Sequence, residues 1–298
     1  MKITLTGSLG NIGRPLATEL VQKGHEVTVI SSNPNRQEAI EAIGAKAAIG
    51  SMEYAAFLAK TFKGADVVYV MESLRQGAFF DPNVDVVATI TEIGMKYKQA
   101  IEQSGVKKVV HLSSIGAHMA EGNGLLAFHY NVETILKQLP EDVAIKFIRP
   151  VGFYTNMFAF IEPIKKYGAI TANYGGDVKS PWVSPLDIAA VIAEEMKKPF
   201  EGRTVRYIAS DEVSPNEIAQ ILGEAIGRDV KWQQIPDEQF LNGLVGAGMN
   251  PKTAAGYVEM TAAYEKGLYD DYFAHHPVLG KVKVKDFAKQ FAAAYNKQ

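Results

Sequence analysis

Residues Lys2–Gly13 read KITLTGSLGNIG and join a predicted strand to a predicted helix through a turn punctuated by glycines. Ile3 and Leu5 lie among threonines, a composition typical of a short buried strand. From Leu16 to Val21 the apolar residues recur at helical spacing instead. A strand that passes through such a turn directly into a helix is typical of nucleotide-binding α/β folds.

Glycine occupies every third position of the turn between Gly7 and Gly13. It permits a tight turn, close approach of the backbone to a pyrophosphate, and a helix that begins against the strand. The helix N-terminus would direct N–H groups and a partial positive charge at the phosphates. An ordinary turn has the same spacing, but the strand and helix around it favour a cofactor. The predicted contacts are Gly7, Ser8, Leu9, Gly10, Asn11, Ile12 and Gly13.

Composition narrows the class of protein. Of the 298 residues 47% are hydrophobic, enough for a sizeable core, and the formal net charge is −2. Without clustered Lys and Arg, nucleic acid is not expected as a direct partner. The absence of cysteine excludes disulfides and thiol catalysis, and no metal site is expected. Since the N-terminus enters a strand at once and no apolar run is long enough to cross a bilayer, we expect a cytoplasmic protein without membrane contact.

Predicted strands alternate with helices through the first half of the chain, at residues 26–31, 45–50, 66–71, 108–112 and 145–148. This alternation indicates an α/β fold, a Rossmann-type doubly wound parallel sheet. We predict an NAD(P)-binding Rossmann domain over residues 1–150, to which residues 183–210 return. Beyond Pro150 the alternation breaks, so residues 151–182 and 211–298 are predicted to form a smaller, mostly helical substrate-binding region.

The loop after the second strand bears on the choice of cofactor. An Asp or Glu there would hold the ribose 2′-hydroxyl of NAD, but the first acidic residue is Glu38. Neutral donors and an arginine suit a 2′-phosphate, so NADP (NADPH) is favoured, and NAD remains possible. The predicted contacts are Ser31, Ser32, Asn33 and Arg36, with Gly50 and Ser51 near the adenine. Alternatively, Arg36 is a solvated residue at the start of the next helix.

Further candidate residues follow the later strands. Met71 ends the fourth predicted strand and is assigned to the cofactor. The loop from Glu72 to Asp85 is long and aromatic, which suggests a segment that covers the cofactor. Ser113 and Ser114 follow the fifth strand, at the carboxyl end where ligands bind in open α/β sheets.

The helix after these serines lacks the acid and base of the usual short-chain reductases, Tyr-x-x-x-Lys. No tyrosine has lysine four residues later, and Tyr130 is followed by Thr134. His129 and Glu133 stand there instead, at a spacing that permits a direct hydrogen bond. We predict that His129 contacts the nicotinamide ribose and that Glu133 holds its orientation. An exposed helix pair without a function is the alternative.

These features together resemble the NmrA-like atypical branch of the short-chain dehydrogenase/reductase superfamily. The stretches that carry the resemblance span nearly the whole chain: TGSLGNIG, GHEVTVISSNP, GADVVYV, VKKVVHLSSIGA, HYNVETIL, FIRPVGFYTNM and PWVSPLDIAAV. The chain departs from the family at Ser32, where arginine is common, and at Ser51, where an acid is common. The resemblance implies that Pro150, Val151, Gly152, Phe153 and Tyr154 border the nicotinamide and that Asn156 lies close to the substrate.

The family includes quinone oxidoreductases, triphenylmethane-dye reductases and redox-sensing co-regulators. We therefore expect an NADPH-dependent reductase, monomeric or homodimeric, that transfers hydride to a conjugated small molecule. Such an acceptor stabilises the added charge itself, so a strong protein acid is dispensable. Tyr154, Asn156 and Phe158, in an aromatic segment, are the predicted substrate contacts. The alternatives are a regulator that binds NADP(H) without turnover and, less favoured, an isomerase or dehydratase that uses bound cofactor.

Overall fold

The computed structural model describes residues 1–297. Its strands are β1 (Lys2–Leu5), β2 (Glu26–Ser31), β3 (Lys46–Ile49), β4 (Val67–Val70), β5 (Lys108–Leu112), β6 (Ala144–Pro150), β7 (Gly152–Phe153), β8 (Ala169–Ala172), β9 (Ser180–Val183), β10 (Arg203–Ile208), β11 (Asp211–Val213) and β12 (Lys231–Gln234). Its α-helices are α1 (Gly13–Gln22), α2 (Gln37–Glu41), α3 (Ala55–Phe62), α4 (Val86–Ser104), α5 (Ala127–Leu136), α6 (Ile161–Tyr167), α7 (Pro185–Glu195), α8 (Pro215–Ile226), α9 (Asp237–Gly246), α10 (Pro251–Ala262), α11 (Asp270–Ala274) and α12 (Val284–Lys297).

A seven-stranded parallel sheet in the order β10-β6-β5-β4-β1-β2-β3 organises the fold. Strand β4, VVYV, is buried at every position, as expected of a strand covered on both faces. Helices α1 and α7 pack together in one layer, and α3, α4 and α5 form a second. The predicted Rossmann-type doubly wound sheet is therefore confirmed.

The strand order reverses beside β1. The chain runs from β1 to β2 and β3 on one side, then returns to β4 on the other side of β1. Ligands of open α/β sheets bind outside the carboxyl ends of the strands at such a switch point. The glycine turn, residues 7–13, leaves β1 at this point.

The remaining strands form two small sheets, β11-β9-β7 and β12-β8, which pack with α6, α8 and α12 around a second apolar core. The sequence pattern did not predict the short strands at residues 152–153, 180–183 and 211–213. Strand β10 belongs to the large sheet, where Arg203–Ile208 pairs in parallel with β6. Within residues 1–297, no helix has the length and apolar content needed to cross a membrane.

Candidate cofactor and acceptor site

The glycine turn has the geometry that its sequence predicts. Gly7 has φ +87° and Ser8 has φ +57°, so the backbone turns sharply at the end of β1. A Cβ on Gly13 would lie 2.1 Å from the carbonyl oxygen of Ser8, and one on Gly7 would lie 2.4 Å from Sδ of Met71. A side chain at Gly13 would thus collide with the backbone of the turn itself, and one at Gly7 with the side chain of Met71.

Helix α1, which follows the turn, begins without a side-chain cap, as do α3, α5 and α9. At the starts of four other helices a side-chain oxygen accepts a backbone N–H group. These capping residues are Asp85 (α4), Ser184 (α7), Ser214 (α8) and Asn250 (α10). At Ile12, the residue before α1, no side chain of the described part of the chain does so, and the first turn of α1 contains no acidic residue. In that first turn the amide of Arg14 donates to the carbonyl of Gly10 over 3.1 Å and Pro15 has no N–H, so α1 offers an anion mainly the partial positive charge of its N-terminus.

A groove of about 380 Å³ runs from this turn across the ends of β2 and β3. It is lined by six predicted cofactor contacts, Gly7, Ser8, Ser31, Ser32, Gly50 and Ser51, together with Ile30, Met52, Glu53 and Ser73–Arg75. The hydroxyl of Ser8 donates to Oγ of Ser31 over 3.0 Å, which joins the phosphate turn to the ribose loop. The groove fits the adenosine and pyrophosphate half of a dinucleotide.

In the loop at the far end of this groove, one of the predicted contact residues already makes a hydrogen bond within the loop. Oδ1 of Asn33 accepts the amide of Asn35 over 3.0 Å and caps the short 3-10 helix Pro34–Arg36. Ser32 and Arg36 are exposed, and Arg36 makes no ion pair with any described residue. Asn33 is therefore occupied by a local structural role, whereas Ser32 and Arg36 are accessible to a ligand.

A second, apolar cleft of about 460 Å³ lies beside the groove, across the ends of β4 and β5. The predicted residues on its wall are Met71, Ser113, Ser114, His129 and Phe153. The other lining residues are Glu72 to Phe80, Ile90, Leu112 and Phe128. Ser73, Leu74 and Arg75 line both cavities, so the groove and the cleft are neighbours that share one wall segment.

The loop from Glu72 to Asp85 forms the outer wall of the cleft. Arg75, on both cavities, forms an ion pair with Asp81 of the same loop. Asn250, at the start of α10, donates its side-chain amide to the carbonyl of Asp81 over 2.9 Å. Its backbone amide donates to the carbonyl of Phe79 over 2.9 Å. The C-terminal part of the chain thereby holds the wall in place.

Glu133 does not hold His129, contrary to the prediction. Its carboxylate instead receives a bidentate hydrogen bond from Arg149, Nε to Oε1 over 2.8 Å and Nη2 to Oε2 over 2.7 Å. Ser113 Oγ donates to Oε1 over 2.6 Å, and Nζ of Lys137 donates to Oε2 over 3.0 Å. Burial alone would raise the pKa of Glu133, but the hydrogen bonds and charge of Arg149 outweigh it and lower the pKa to about 2.

This buried network reaches the C-terminal region. Nη1 of Arg149 donates to Oη of Tyr207 over 3.0 Å and to Asp271 over 3.3 Å, and Tyr207 donates to Asp271 as well. Only 5% of Arg149 and none of Glu133 is exposed. The network fixes the orientation of Ser113, which donates its hydroxyl proton to Glu133, so its oxygen can take part in a further hydrogen bond only as an acceptor. Arg149 was missed at the sequence level, since an arginine at the end of a strand carries no distinctive pattern.

His129 lies on the cleft wall with its ring 4.2 Å from that of Phe128. Its Nδ1 is buried and has no hydrogen-bond partner among residues 1–297. Burial, and to a smaller extent the neighbouring His111, lowers the pKa of His129 to about 3. The imidazole is therefore neutral near pH 7, available for hydrogen bonding to a ribose and unsuited to supply a proton.

A second buried histidine, His111 on β5, was also missed. Its Nε2 lies 3.1 and 3.2 Å from the two carboxylate oxygens of Glu72. The side chain of His111 has no exposure and that of Glu72 only 2%, although Glu72 contributes to the wall of the cleft. The two residues are far apart in sequence, so only the register of β4 and β5 brings them together.

The residues predicted to border the nicotinamide and the substrate are divided by the fold. Pro150 and Val151 are buried at the end of β6, and Gly152 packs against the ring of Trp182. Tyr154 is buried, donates its hydroxyl to the carbonyl of Val282 over 3.0 Å, and packs on Phe287.

Phe158 packs against Phe287 and Phe291, and Asn156 is exposed. The two aromatic side chains, Tyr154 and Phe158, thus belong to the smaller core. Phe153 is the residue of this aromatic segment that lines the cleft. No group of His, Asp or Glu side chains within the described range is arranged to hold a metal ion.

The phosphate turn, the groove at the switch point and the adjoining cleft define a Rossmann-type dinucleotide-binding protein. The NmrA-like family model matches residues 1–278, and the chain belongs to this family.

One curated relative and one solved structure are similar to this chain along almost their whole length. The chain is 24% identical over 300 residues to the NAD(P)H azoreductase of Xenophilus azovorans, covering 98% of this chain and 99% of the relative. Its structure resembles the NADPH complex of the quinone oxidoreductase QOR2 from Escherichia coli, with a TM-score of 0.78 at 20% identity over 97% and 99% of the two chains.

Two further solved structures have comparable similarity. The triphenylmethane reductase of a Citrobacter species gives a TM-score of 0.76 at 20% identity over 98% of this chain and 100% of that chain. NmrA, described as a negative transcriptional regulator, gives 0.73 at 16% identity over 99% and 97%. The fold thus occurs both in reductases and in a transcriptional regulator.

Proposed function

We propose that the protein is an NADPH-dependent reductase that transfers hydride to a flat, conjugated small molecule. The observation that carries the proposal is the adjacency of the groove and the cleft, which share the lining residues Ser73–Arg75. A dinucleotide whose phosphates lie at the Gly7–Gly13 turn extends from the groove to Ser113 and Phe153. The aromatic cleft beside them accommodates an acceptor.

The residues of the cleft position the reactants and transfer no proton. Reduced nicotinamide supplies the hydride when it is bound. Ser113 accepts a hydrogen bond from cofactor or acceptor, because its own proton is held by Glu133. Neutral His129 holds the ribose, and the apolar wall excludes water. Orientation of the acceptor against the donor ring then supplies most of the rate acceleration.

The preference for NADPH over NADH rests on the ribose loop. The exposed Ser32 and Arg36 are accessible to a 2′-phosphate, and the loop has no carboxylate before Glu38 to repel it. Arg75, on the wall shared by the two cavities, is a second candidate cation for the cofactor.

A parallel titration with NADPH and NADH, followed by nicotinamide fluorescence, tests this function. Tight NADPH binding, with loss of the fluorescence only when a quinone or dye is added, is the expected result. Binding of NADPH without oxidation by any acceptor of a broad panel would reject the reductase and favour a nucleotide-sensing regulator, the role that the similarity to NmrA supports. Failure to bind either cofactor would reject both functions.

A further inference from the structure

Asn250 holds the outer wall of the cleft through three of its polar groups. Its backbone N–H donates to the carbonyl of Phe79 over 2.9 Å. Its side-chain amide donates to the carbonyls of Asp81 over 2.9 Å and Val84 over 3.4 Å. Its Oδ1 accepts the backbone N–H of Lys252 over 2.9 Å and caps α10. Because Asn250 is only 8% exposed, water competes little for these hydrogen bonds.

The aromatic rings on this held segment are themselves exposed. Phe79 is 40% exposed and Phe80 is 53% exposed, and both line the cleft. The backbone beneath them forms a short 3-10 helix, Ala78–Phe80, in which Ala78 is buried. Rings on a fixed backbone lose little further conformational entropy when a ligand covers them. The outer wall therefore presents a preorganised aromatic surface.

Helix α10 also contacts the segment that leads to another part of the lining. Residues Gly124–Leu126 form a short 3-10 helix directly before α5 and pack against α10. A Cβ on Gly124 would lie 2.1 Å from the carbonyl oxygen of Gly256, so the two backbones approach closely. Helix α5 then brings Phe128 and His129 to the cleft. One helix thus positions the outer wall relative to Phe128.

The cleft differs between its depth and its outer side. Ser113 is buried, whereas Phe79 and Phe80 face solvent. An acceptor with a single ring occupies only the depth beside Ser113, whereas a longer one reaches the outer wall and gains its aromatic contacts.

We propose that Asn250 is a positioning residue for the acceptor. By fixing the backbone of Phe79 and Phe80, it raises the affinity of the cleft for molecules of several fused rings over molecules of one ring. This inference rests on the proposed function and assigns the residue that sets the size of its acceptor.

The kinetics of Asn250→Asp test the role of the side-chain amide. Aspartate keeps an oxygen to cap α10 but has no N–H for the carbonyls of Asp81 and Val84. The acceptors compared are 1,4-benzoquinone, with one ring, and 9,10-phenanthrenequinone, with three fused rings. The ratio of the KM for phenanthrenequinone to the KM for benzoquinone should rise about tenfold, with little change in kcat for phenanthrenequinone. An unchanged ratio would overturn the proposal.

Two further variants separate this role from an effect on stability. Asn250→Ser also keeps an oxygen to cap α10, is too short to reach the loop carbonyls and adds no charge, so it should shift the ratio in the same direction. Ser214→Ala is the control, because Ser214 caps α8 through a 3.1 Å bond from the N–H of Glu217, and α8 does not line the cleft. It should lower the melting temperature without changing the ratio. A shift with Ser214→Ala as large as that with Asn250→Ser would overturn the proposal.

A binding measurement without turnover distinguishes this proposal from the reductase function. The probes are 9-anthracenemethanol, which is fluorescent and has three fused rings, and benzyl alcohol, which has one ring and is measured by displacement, both without cofactor. Asn250→Asp should raise the Kd of anthracenemethanol about tenfold, and more than that of benzyl alcohol. Equal losses for the two probes would overturn the proposal. A protein that shows the expected losses but oxidises no NADPH would retain the positioning role and lose the proposed reductase function.

A double-mutant cycle tests whether Asn250 acts through the two rings. Phe79→Ala combined with Phe80→Ala should weaken anthracenemethanol binding by itself. Adding Asn250→Asp to that variant should cause little further loss, because both changes remove the same contacts. Additive losses would show that Asn250 acts elsewhere and would overturn the proposal.

Discussion

Breaking the buried ion pair between Glu133 and Arg149 should cost a large share of the stability of the protein. The pair is bidentate, Arg149 is 5% exposed and Glu133 is fully buried. Replacing one partner leaves the other buried charge with only its secondary contact, Lys137 for Glu133 or Asp271 for Arg149, and the loss of such a pair typically costs about 3–5 kcal/mol. With an unfolding entropy of about 2.1 cal/mol/K per residue over 298 residues, this corresponds to a fall in Tm of roughly 5–8 °C.

The assay is calorimetric or circular-dichroism melting of Glu133→Gln, Arg149→Met and the double variant. The double variant should lose less than the sum of the two single losses, by about 1–3 kcal/mol, because neither charge is then left alone. Glu102→Gln, which removes one partner of the exposed pair with Lys98, is the control and should cost less than about 1 kcal/mol. Additive losses, or single losses as small as that of the control, would refute the reasoning.

The pH dependence gives an independent check. The pKa of Glu133 is lowered to about 2 in the folded protein from its ordinary 4.5. A lowered pKa means that the stabilisation is complete above pH 4.5 and is lost as the pH falls toward 2. The difference in Tm between the native protein and Glu133→Gln should therefore shrink over this interval, and a constant difference would contradict the assignment.

Three other variants test the turn, the ribose loop and the histidine. Gly13→Ala places Cβ 2.1 Å from the carbonyl oxygen of Ser8, so it should lower the free energy of unfolding by about 1–3 kcal/mol and weaken NADPH binding. Gly10→Ala is the control, because its Cβ would lie 3.7 Å from the nearest atom, and it should leave Tm unchanged. Equal melting temperatures for Gly13→Ala and Gly10→Ala would show that the turn rearranges to accommodate the added methyl group without loss of stability. Arg36→Ala should raise the Kd of NADPH about tenfold and leave the Kd of NADH unchanged, as measured by fluorescence titration. A similar loss of affinity for both cofactors would exclude a contact between Arg36 and the 2′-phosphate. His129→Ala should raise the Kd of NADPH with little change in kcat, and its rate profile between about pH 5 and 8 should parallel that of the native protein, because a pKa of about 3 keeps the ring neutral throughout. An inflection in the pH–rate profile of the native protein that is absent from the profile of His129→Ala would show that His129 transfers a proton.

Local patterns in the sequence predicted the large sheet, and several of the residues that they indicated as cofactor contacts line one groove. Two of these patterns, the spacing of Gly7, Gly10 and Gly13 and the alternation of strands with helices, depend only on residues close together in the sequence. They can therefore be recognised without knowledge of the tertiary structure. The serines at 31, 32, 113 and 114 follow strands whose carboxyl ends necessarily meet. Topology alone placed them on the groove and the cleft.

Contacts between distant residues could not be predicted in this way. The helical spacing of His129 and Glu133 allowed a direct contact, but Arg149 competes for the carboxylate with two strong hydrogen bonds. The aromatic segment from Phe153 to Phe158 indicated an apolar environment without specifying which one. Tyr154 and Phe158 pack against α12, whose residues lie far along the chain.

The late return of β10 to the large sheet affects how the chain can be divided and synthesised. Strand β10 pairs with β6 along its whole length, Arg203–Ile208 against Ile145–Pro150. A nascent chain or truncated fragment that stops at Pro150 leaves one side of β6 with unpaired N–H and C=O groups beside the apolar Ile145, Phe147 and Ile148. Such an open edge invites pairing with other chains and aggregation. Soluble expression of the sheet alone therefore requires a fragment that includes Ile208, even though the glycine turn and most of the groove are complete long before it.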